Sequence, residues 1–512
     1  MARPAIVFIG FMGAGKSTAL AAARKAGLET TEIDELMEAE LGKPIRQAFE
    51  QDGEEAFRSR EEEVVGSLLE NADGGAIALG GGSILSERVR KALDRHIVVL
   101  LEIDAATAWQ RIEGTERPLA TSEADVAKLL AERAPFYEGL ADAVVPMGDK
   151  SVVERAFPAI ETLEEMPPGP KLLWATSHSG DYPVFVGSEF FSDLAETGWW
   201  PAAGRRYCIT DDNAGRYAEH LQPLATHPLH VSPGEESKTL KVLGGVIEAL
   251  AAAEMRRDDH VVALGGGVIG DLAGFCAHVY QRGVPVVQVP TTLVAQVDSA
   301  YGGKTGVDIG ELKNYAGAYH QPAAVLTDTA TLATLPPREL AAGFVEVLKT
   351  GLLAGGLLWE RVRGIETIDP AGLDDVVFAC ARYKCGVVAA DERDGGLRHV
   401  LNLGHTVGHA IEGVSEFAYL HGEAIGLGLL AALRLSDAPE LREEVATILR
   451  RHDLPGSLDR AIGVDDVLAV LERDKKRTAA GVGFVLLSEP GKPRPGELVD
   501  PAKVREAVEE LY

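Results

Sequence analysis

A glycine-rich segment near the start of the chain has the residues needed to bind a nucleotide. The run Gly10-Phe11-Met12-Gly13-Ala14-Gly15-Lys16-Ser17 fits the pattern G-x-x-x-x-G-K-[ST] of a phosphate-binding loop (P-loop). Its main-chain N–H groups can wrap nucleotide phosphates, while Lys16 adds a positive charge and Ser17 can bind Mg²⁺. We therefore expect ATP or GTP with Mg²⁺, in contact with Gly13, Ala14, Gly15, Lys16, Ser17 and Thr18.

A second glycine-rich segment lies past the middle of the chain and has no such lysine. Gly265-Gly266-Gly267-Val268-Ile269-Gly270-Asp271 follows the apolar run His260–Leu264. Its glycines would let the main chain approach a pyrophosphate at a helix N-terminus, which suits a dinucleotide better than ATP. A glycine triplet alone is nearly as consistent with a structural turn. Together the two segments predict two enzymes fused in one chain.

Two histidines later in the chain have a spacing that suits a metal ion. The motif Asn402-Leu403-Gly404-His405-Thr406-Val407-Gly408-His409 separates its imidazoles by four residues. Residues at this spacing are neighbours on a helix, so His405 and His409 could face one ion. The spacing alone leaves open whether either histidine is a ligand.

The composition excludes several classes of partner. The chain has 512 residues and a formal net charge of −28, so attraction to nucleic acid or to an anionic membrane surface is not expected. No apolar run reaches the roughly 20 residues that cross a bilayer, and glycines and Lys16 interrupt the apolar stretch at the start. We expect a cytoplasmic protein. The four cysteines form no C-x-x-C pair, so neither a disulfide nor a zinc knuckle is predicted.

The elements that must position these residues follow an α/β pattern over most of the chain. Apolar runs at Ala5–Ile9, Gly75–Leu79 and His96–Ile103, separated by helical patterns, predict a parallel sheet around the P-loop. A chain of this length exceeds the roughly 250–300 residues at which one core stops growing. The predicted organisation is a P-loop NTPase domain with a parallel sheet at residues 1–160, a proline-containing linker at 161–171, an α/β half at 172–335 that carries the second glycine-rich segment, and a mainly α-helical half at 336–512 that carries the two histidines.

The first domain also contains an acidic motif and several arginine motifs. They are Asp34 in Glu-Ile-Asp-Glu-Leu, Arg58 in Glu-Ala-Phe-Arg, the triplet Gly80-Gly81-Gly82, Arg117 in Glu-Arg-Pro-Leu and Arg133 in Glu-Arg-Ala-Pro-Phe-Tyr. With the P-loop, these motifs make residues 1–150 resemble shikimate kinase. A small polyhydroxy acid needs an acceptor for its hydroxyls and cationic forks for its carboxylate, and arginine binds carboxylates through two parallel hydrogen bonds.

The kinase resemblance implies a role for each motif. Asp34 would orient the attacking hydroxyl and receive its proton, Arg58 and Arg133 would bind the substrate carboxylate, and the glycine triplet would line the pocket. Arg117 lies in a segment similar to the mobile lid of the family, where it would offset charge on the γ-phosphate. Glu32 stands where the family commonly has an aspartate near the magnesium site, so the charge is kept on a longer side chain.

The second half carries four further motifs, which are Pro233–Thr239, Gly265–Asp271, Asp298–Thr305 and Asn402–His409. Together with Glu346 and His421 they make residues 172–512 resemble 3-dehydroquinate synthase. The resemblance implies a Zn²⁺ or Co²⁺ ion bound by Glu346, His405 and His421, with open positions for substrate. It leaves His409 for proton transfer.

The same resemblance implies an NAD site and a site for a substrate that carries both phosphate and carboxylate. The positions that match the family's NAD contacts are Asp211, Asn213, Glu235, Lys238, Gly265, Gly266, Gly267, Asp271, Thr291, Thr292, Lys304 and Lys313. Those that match its substrate contacts are Arg282, Asp298, Asn314, Lys349, Lys384, Arg398, Asn402 and Lys475, with Lys476 as the alternative to Lys475. The expected catalytic groups of the two enzymes are Asp34, Arg117, Lys304, Lys349 and His409.

The two resemblances imply a bifunctional enzyme of the shikimate pathway, which supplies aromatic amino acids. One half would phosphorylate shikimate to shikimate 3-phosphate, and the other would convert 3-deoxy-D-arabino-heptulosonate 7-phosphate to 3-dehydroquinate and phosphate without consuming NAD. A homodimer through the synthase half is expected. The alternative is a gluconate-type kinase fused to a metal-dependent polyol dehydrogenase, which shares the glycine turn and metal site. A neutral polyol would not require the lysine and arginine positions.

Overall fold

The computed structural model describes residues 3–114, 122–310, 312–415, 418–475 and 483–512. The chain divides into two compact units. The first contains Met1–Ala175, Pro183–Phe185 and Asp193–Trp199, and the second contains Thr176–Tyr182, Val186–Ser192 and Trp200–Tyr512. Within the described ranges, no helix has the length and apolar character needed to cross a bilayer.

The first unit is built around a parallel sheet whose strands alternate with helices. Strand order is β2-β3-β1-β4-β5-β6, and β1 lies between β3 and β4 with all four of its residues buried. A strand covered on both faces has a continuous apolar sequence, which is why Ile6–Ile9 was recognisable. The elements are β1 (Ile6–Ile9), α1 (Lys16–Lys25), β2 (Thr30–Glu32), α2 (Ile33–Leu41), α3 (Ile45–Asp52), α4 (Glu54–Asn71), β3 (Ala76–Ala78), α5 (Glu87–Leu93), β4 (Ile97–Glu102), α6 (Ala105–Ile112), α7 (Glu123–Leu140), β5 (Ala143–Pro146), α8 (Val152–Glu165) and β6 (Lys171–Ala175).

The predicted linker at 161–171 is mostly regular structure. Helix α8 continues through Glu165, because Ile160 and Leu163 are buried on its inner side and hold it in place. Lys171 then begins β6, which pairs in parallel with β5 through Ala143↔Leu172. The acidic residues that suggested a break lie on the helix, and only residues 166–170 separate it from the strand.

His96 makes the stability of the first unit sensitive to acid. Its Nδ1 accepts a hydrogen bond from the Ala5 N–H at 3.0 Å, so its Nε2 must carry the proton and donate to the Leu69 carbonyl at 2.9 Å. Burial lowers the pKa of His96, so the folded chain binds fewer protons than the unfolded chain below about pH 6.5. Stability is therefore expected to fall as the pH falls through that region.

Thermal unfolding of wild type and His96→Gln between pH 7.5 and 5.5 tests this expectation. The stabilisation that wild type has over the variant should be largest at pH 7.5 and should shrink towards pH 5.5, because glutamine does not titrate. The exposed His227 offers a control as His227→Gln, which should follow wild type. A difference between wild type and His96→Gln that stays constant with pH would contradict the assignment.

The second unit begins as α/β structure. Its parallel sheet has the order β14-β11-β10-β8-β9, and β12 and β13 form a separate antiparallel hairpin. Helix α11 packs on this sheet through Ile269, Leu272 and Cys276, which are all buried. Residues of β7 (Tyr182–Gly187) and α9 (Phe191–Glu196) are divided between the two units. The elements that follow are β8 (Arg206–Asp211), β9 (Leu229–Val231), α10 (Leu240–Ala252), β10 (His260–Gly265), α11 (Gly267–Val279), β11 (Val286–Pro290), β12 (Lys304–Ile309), β13 (Leu312–Tyr319) and β14 (Ala324–Asp328).

The rest of the second unit is mainly helical, which confirms the predicted fold class. Helix α16 packs against both α12 and α15, and most residues of α16 are buried. One hairpin, β15–β16, interrupts the helices. The elements are α12 (Pro337–Ala354), α13 (Gly356–Arg363), α14 (Asp374–Ala390), α15 (His405–Val414), α16 (His421–Leu435), α17 (Pro439–Arg451), α18 (Val464–Lys475), β15 (Gly483–Leu487), β16 (Pro493–Leu498) and α19 (Pro501–Glu509).

Candidate active sites

The P-loop joins β1 to α1 and is preorganised around Lys16. Gly13 and Gly15 have φ values of 80° and 95°, a left-handed conformation that favours glycine. The Lys16 ammonium donates to the carbonyls of Gly10 and Phe11, at 2.9 and 3.3 Å. The positive charge therefore lies across the loop at the N-terminus of a helix, where phosphate is favoured.

Glu32 lies beside the predicted magnesium ligand. It ends β2, and its Oε1 accepts a hydrogen bond from Ser17 Oγ at 2.8 Å. Hydroxyl and carboxylate oxygens are the donors that Mg²⁺ takes from proteins. The longer side chain of glutamate therefore still places its carboxylate beside the P-loop serine, and the two groups fit an Mg²⁺ site.

The glycine triplet 80–82 approaches Arg58 and Asp34 closely. A Cβ on Gly82 would lie 2.4 Å from Arg58 Nη1, and one on Gly80 would lie 3.5 Å from Asp34 Oδ1. The buried Glu61 completes this group, since it pairs with Arg58 and accepts from Ser83 Oγ at 2.7 Å. Sequence reasoning missed Glu61, although its spacing of three residues from Arg58 on α4 was a usable signal.

Arg133 and Tyr137 approach the same triplet from α7. Arg133 Nη1 and the Tyr137 hydroxyl both donate to the Gly81 carbonyl at 2.8 Å, and burial raises the pKa of Tyr137 to about 12. Among described residues, the buried Nε atom of Arg133 has no hydrogen-bonding partner, and that of Arg58 has only an ion-pair contact with Glu54 Oε1 at 3.5 Å. Two guanidinium groups with unused donors at one loop fit a carboxylate ligand. Arg117 lies outside the described residues, and its role stays a prediction.

The second glycine-rich turn joins β10 to α11 and is tightly packed. A Cβ on Gly265 would lie 2.7 Å from Ile269 Cβ, and one on Gly266 would lie 2.8 Å from Thr292 Cγ2. Thr291 donates its main-chain N–H to the Gly265 carbonyl at 3.0 Å. The predicted NAD positions of the turn and of the segment after β11 therefore form one surface at the N-terminus of α11.

Lys238 supplies a buried charge next to this turn. Its Nζ lies 2.7 Å from Asp271 Oδ2 and 3.6 Å from Glu235 Oε1. Burial lowers the pKa of Lys238, but the two carboxylates outweigh burial and the net direction is upward. At the end of β8, Asp211 Oδ1 accepts from the main-chain N–H groups of Asn213 and Ala214, both at 2.8 Å. Asp211 thus shapes the turn that presents Asn213.

Four side chains that suit a metal ion converge on one point among α12, α15 and α16. They are Glu346, His405, His409 and His421, and they are called the metal group below. Glu346 Oε1 lies 3.7 Å from His405 Nε2 and 3.4 Å from His421 Nε2. Ligand atoms of His405, His409 and His421 all lie within 4.8 Å of one another. The buried Glu346 Oε1 accepts no hydrogen bond from any described residue. A buried carboxylate oxygen that faces two imidazole nitrogens fits a divalent cation such as Zn²⁺.

The electrostatics of this group also suit a cation. Burial lowers the pKa of His421, but Glu346 and Glu412 outweigh burial and raise it to about 9. Burial and the Lys349 ammonium lower the pKa of His405 to about 3, which leaves it neutral. A divalent cation is favoured by the same negative groups that favour a proton on His421, and it needs a neutral imidazole such as His405.

Lys349, Lys384 and Asp298 form a buried charged cluster next to Glu346. Lys349 Nζ lies 2.5 Å from Glu346 Oε2 and 3.9 Å from Asp298 Oδ1, and Lys384 Nζ lies 2.8 Å from Asp298 Oδ1. Burial raises the pKa of Asp298, but the two ammonium groups outweigh burial and lower it to about 2. Three residues predicted from sequence therefore line one side of the metal group.

Other predicted substrate residues lie around a turn that precedes β12. Lys304 pairs with Asp394, which sequence reasoning missed. Arg398 is buried, and its guanidinium donates to the carbonyls of Gly302 and Glu392. These bonds hold the turn that presents Lys304.

The remaining predicted substrate residues are more exposed. Asn314 has a φ of 50° and donates its main-chain N–H to Asp308 Oδ1 at 2.6 Å. Asn402 is exposed just before α15, and Arg282 is exposed after α11. Among described residues, the Arg282 side chain has no hydrogen bond or ion pair. Lys475 ends α18, its side chain lies outside the description, and Lys476 lies outside the described residues altogether.

Comparison with known proteins bears on both units. The shikimate kinase family matches residues 12–164, and the N-terminal and C-terminal families of 3-dehydroquinate synthase match residues 228–342 and 343–477. A 3-dehydroquinate synthase of Symbiobacterium thermophilum is 40% identical over 349 residues, which cover 64% of this chain and 98% of the relative. The chain belongs to the 3-dehydroquinate synthase family.

Other synthases are similar at lower coverage or identity. A 3-dehydroquinate synthase of Bradyrhizobium is 43% identical over 294 residues, which cover 54% of this chain and 77% of the relative. A solved 2-deoxy-scyllo-inosose synthase, in complex with carbaglucose-6-phosphate, NAD⁺ and Co²⁺, is 26% identical with a TM-score of 0.59 and covers 67% of this chain and 100% of that chain. A 2-epi-5-epi-valiolone synthase from Streptomyces hygroscopicus, with NAD⁺ and Zn²⁺, has the same identity and TM-score and covers 64% and 96%.

These matches confirm the fusion predicted from sequence. The chain is a bifunctional enzyme of the shikimate pathway that joins a shikimate kinase to a 3-dehydroquinate synthase. The polyol dehydrogenase and gluconate-type kinase alternative is less supported, because the curated relatives named above are synthases and the N-terminal match is to shikimate kinase.

Proposed function

We propose that the metal group of the second unit is the 3-dehydroquinate synthase centre, with Glu346, His405 and His421 as ligands of Zn²⁺ or Co²⁺. The convergence of Glu346 Oε1 on two imidazole nitrogens carries this proposal. The bound ion would supply Lewis-acid chemistry, and NAD would supply hydride transfer. The proposed substrate is 3-deoxy-D-arabino-heptulosonate 7-phosphate, which is converted to 3-dehydroquinate and phosphate.

The charged cluster would bind the two anionic groups of this substrate. Lys349 and Lys384 are held beside Asp298 in a buried setting, where each ammonium interacts more strongly with a ligand than at the surface. A phosphate and a carboxylate are anionic groups that such cations can bind, whereas a neutral polyol has no anionic group for them. This match favours the synthase reaction over a polyol oxidation.

His409 would act in proton transfer, beside the metal rather than on it. Its ring lies 5.0 Å from that of His405 and 5.6 Å from that of His421, and its side chain is the exposed one of the three. Loss of hydration within the site, and then the charge of His421, lower the pKa of His409 to about 4, so it is a base at neutral pH. Lys304, held by Asp394, would present a second ammonium to substrate or NAD.

The first unit would transfer a phosphoryl group from ATP with Mg²⁺ to shikimate. Lys16 would bind the β- and γ-phosphates, Ser17 and Glu32 would hold the ion and its water shell, and Asp34 would orient the attacking hydroxyl. Arg58 and Arg133 would bind the carboxylate through their unused donors. The proposed location is the cytoplasm, and the proposed assembly is a homodimer through the synthase half.

Product analysis of the purified chain tests the synthase assignment. With catalytic NAD, Zn²⁺ or Co²⁺ and the heptulosonate phosphate, we expect phosphate and 3-dehydroquinate in equal amounts and no net NADH. Shikimate and ATP should yield shikimate 3-phosphate in a separate assay. Net NADH from polyols, without phosphate release from the heptulosonate, would contradict the synthase assignment.

A further inference from the structure

Glu412 is a buried carboxylate that the sequence motifs did not single out. It lies on α15, and its side chain is 8% exposed. Its two oxygens have different partners: Oε2 lies 3.3 Å from His421 Nδ1, and Oε1 accepts a hydrogen bond from Lys313 Nζ at 2.8 Å. One carboxylate thus joins a proposed metal ligand to the hairpin β12–β13.

The partners of the His421 ring define how the ring is oriented. Its Nδ1 faces Glu412, while its Nε2 faces Glu346 Oε1 at 3.4 Å. A carboxylate accepts hydrogen bonds, so in the neutral ring that a metal ligand must have, Glu412 favours the proton on Nδ1 and leaves the Nε2 lone pair on the side of Glu346. This is the orientation that a metal ligand at Nε2 requires.

His421 needs such a partner because of its place in the fold. It is the first residue of α16, and its side chain is 35% exposed, so the surrounding packing leaves the ring room to rotate. The contact of Nδ1 with Glu412, on the preceding helix α15, restricts this rotation. The rest of the start of α16 is held separately, since Glu423 caps it and pairs with Arg338.

We propose that Glu412 is a positioning residue of the metal centre. It holds the His421 ring with Nε2 towards the ion, and Lys313 neutralises the carboxylate and holds it in place. The proposal rests on the proposed function, in which His421 is a ligand. A buried carboxylate without a cation is costly, so Lys313 also explains how Glu412 stays charged next to an imidazole.

Metal affinity of the NAD-free full chain tests the proposal without relying on activity. Zn²⁺ affinity is measured by competition with a chromophoric chelator for wild type, Glu412→Leu and Glu412→Gln. We expect Glu412→Leu to weaken Zn²⁺ binding by about 10–100-fold, the usual effect of removing a partner of a metal ligand. Glu412→Gln keeps an acceptor oxygen without the charge, so its Zn²⁺ affinity should lie between those of wild type and Glu412→Leu. Lys313→Met should weaken binding less than Glu412→Leu.

A matched control separates this effect from the loss of any buried carboxylate. Asp259 is also buried and paired with a cation, since its side chain is 5% exposed and its Oδ2 lies 2.9 Å from Arg205 Nη2. Asp259→Asn should bind Zn²⁺ as wild type does. Thermal unfolding of the metal-free chain shows whether each variant is folded. If Glu412→Leu shows no unfolding transition, the test uses Glu412→Gln instead. Zn²⁺ affinity equal to that of wild type in a folded Glu412 variant would overturn the proposal.

His421→Ala distinguishes failure of this proposal from failure of the proposed function. Weaker Zn²⁺ binding in both His421→Ala and the Glu412 variants supports the positioning role. Weaker binding in His421→Ala alone overturns that role and leaves the metal centre intact as assigned. Unchanged binding in His421→Ala overturns both, because His421 would then not be a ligand.

Discussion

Replacing Glu346 by glutamine is expected to abolish 3-dehydroquinate formation while shikimate phosphorylation stays at its wild-type rate. Glu346 Oε1 faces the nitrogens of His405 and His421, so glutamine would remove the negative charge at the centre of the proposed ligand set. Loss of a residue that merely supports a ligand costs about 10–100-fold, and loss of a ligand should cost more. We therefore expect more than a 100-fold decrease in synthase kcat/KM.

The measurement compares both activities in one preparation of Glu346→Gln. The exposed Glu339 lies on the same helix, α12, and Glu339→Gln serves as the matched control, with both activities unchanged. Kinase activity reports that the first unit is folded, and a circular dichroism spectrum equal to that of wild type reports that both units keep their secondary structure. A Glu346→Gln enzyme that retains synthase activity within tenfold of wild type would contradict the assignment of Glu346.

Replacing Lys16 by methionine is expected to have the opposite effect, removing kinase activity and sparing the synthase. The Lys16 ammonium lies across the P-loop, at 2.9 Å from the Gly10 carbonyl, where it would contact the transferred phosphate. Removing one group that stabilises charge developing in a transition state costs about 100–1,000-fold in kcat. We expect a loss of this order in the rate of shikimate 3-phosphate formation.

Lys25→Met is the control for Lys16→Met. Lys25 is at the other end of the same helix, α1, where its side chain is 76% exposed and pairs with Glu154. Exposed ion pairs contribute little to stability, so this variant should keep both activities. Equal kinase losses in the two variants would indicate a general effect of changing α1 and would contradict the role of Lys16.

The fold could be predicted from the sequence where patterns are local. The buried strand β1 was visible as the apolar run before the P-loop, and β10 as the run before Gly265–Gly267. The short strand β2 was not identified, because Thr30–Glu32 has three half-buried polar residues and no apolar alternation. The continuation of α8 was missed for a related reason, since its stability comes from burial of Ile160 and Leu163 against distant residues.

In the candidate sites, residues that belong to contiguous motifs could be identified from the sequence, whereas residues defined by distant contacts could not. Glycine turns and the His405–His409 spacing belong to contiguous segments, so their chemistry could be read directly. Glu412 could not be identified in this way, because a glutamate on a helix is usually solvated and its burial depends on residues far away in the chain. For Glu61, the spacing of three residues from Arg58 was a local signal, but its burial was not. Glu412 meets Lys313 across 99 positions of sequence. Such partners become visible only when the fold brings them together.

Removal and return of the metal in the full chain test the central claim most directly. The chain is stripped with a chelator, dialysed into buffer containing Mg²⁺, and assayed for both reactions while Zn²⁺ is titrated in the presence of NAD. We predict full kinase activity throughout, no 3-dehydroquinate formation without Zn²⁺, and recovery that saturates at one ion per chain. Synthase activity in the stripped chain, or kinase activity that falls on stripping and returns with Zn²⁺, would contradict two independent active centres with one metal centre between α12, α15 and α16.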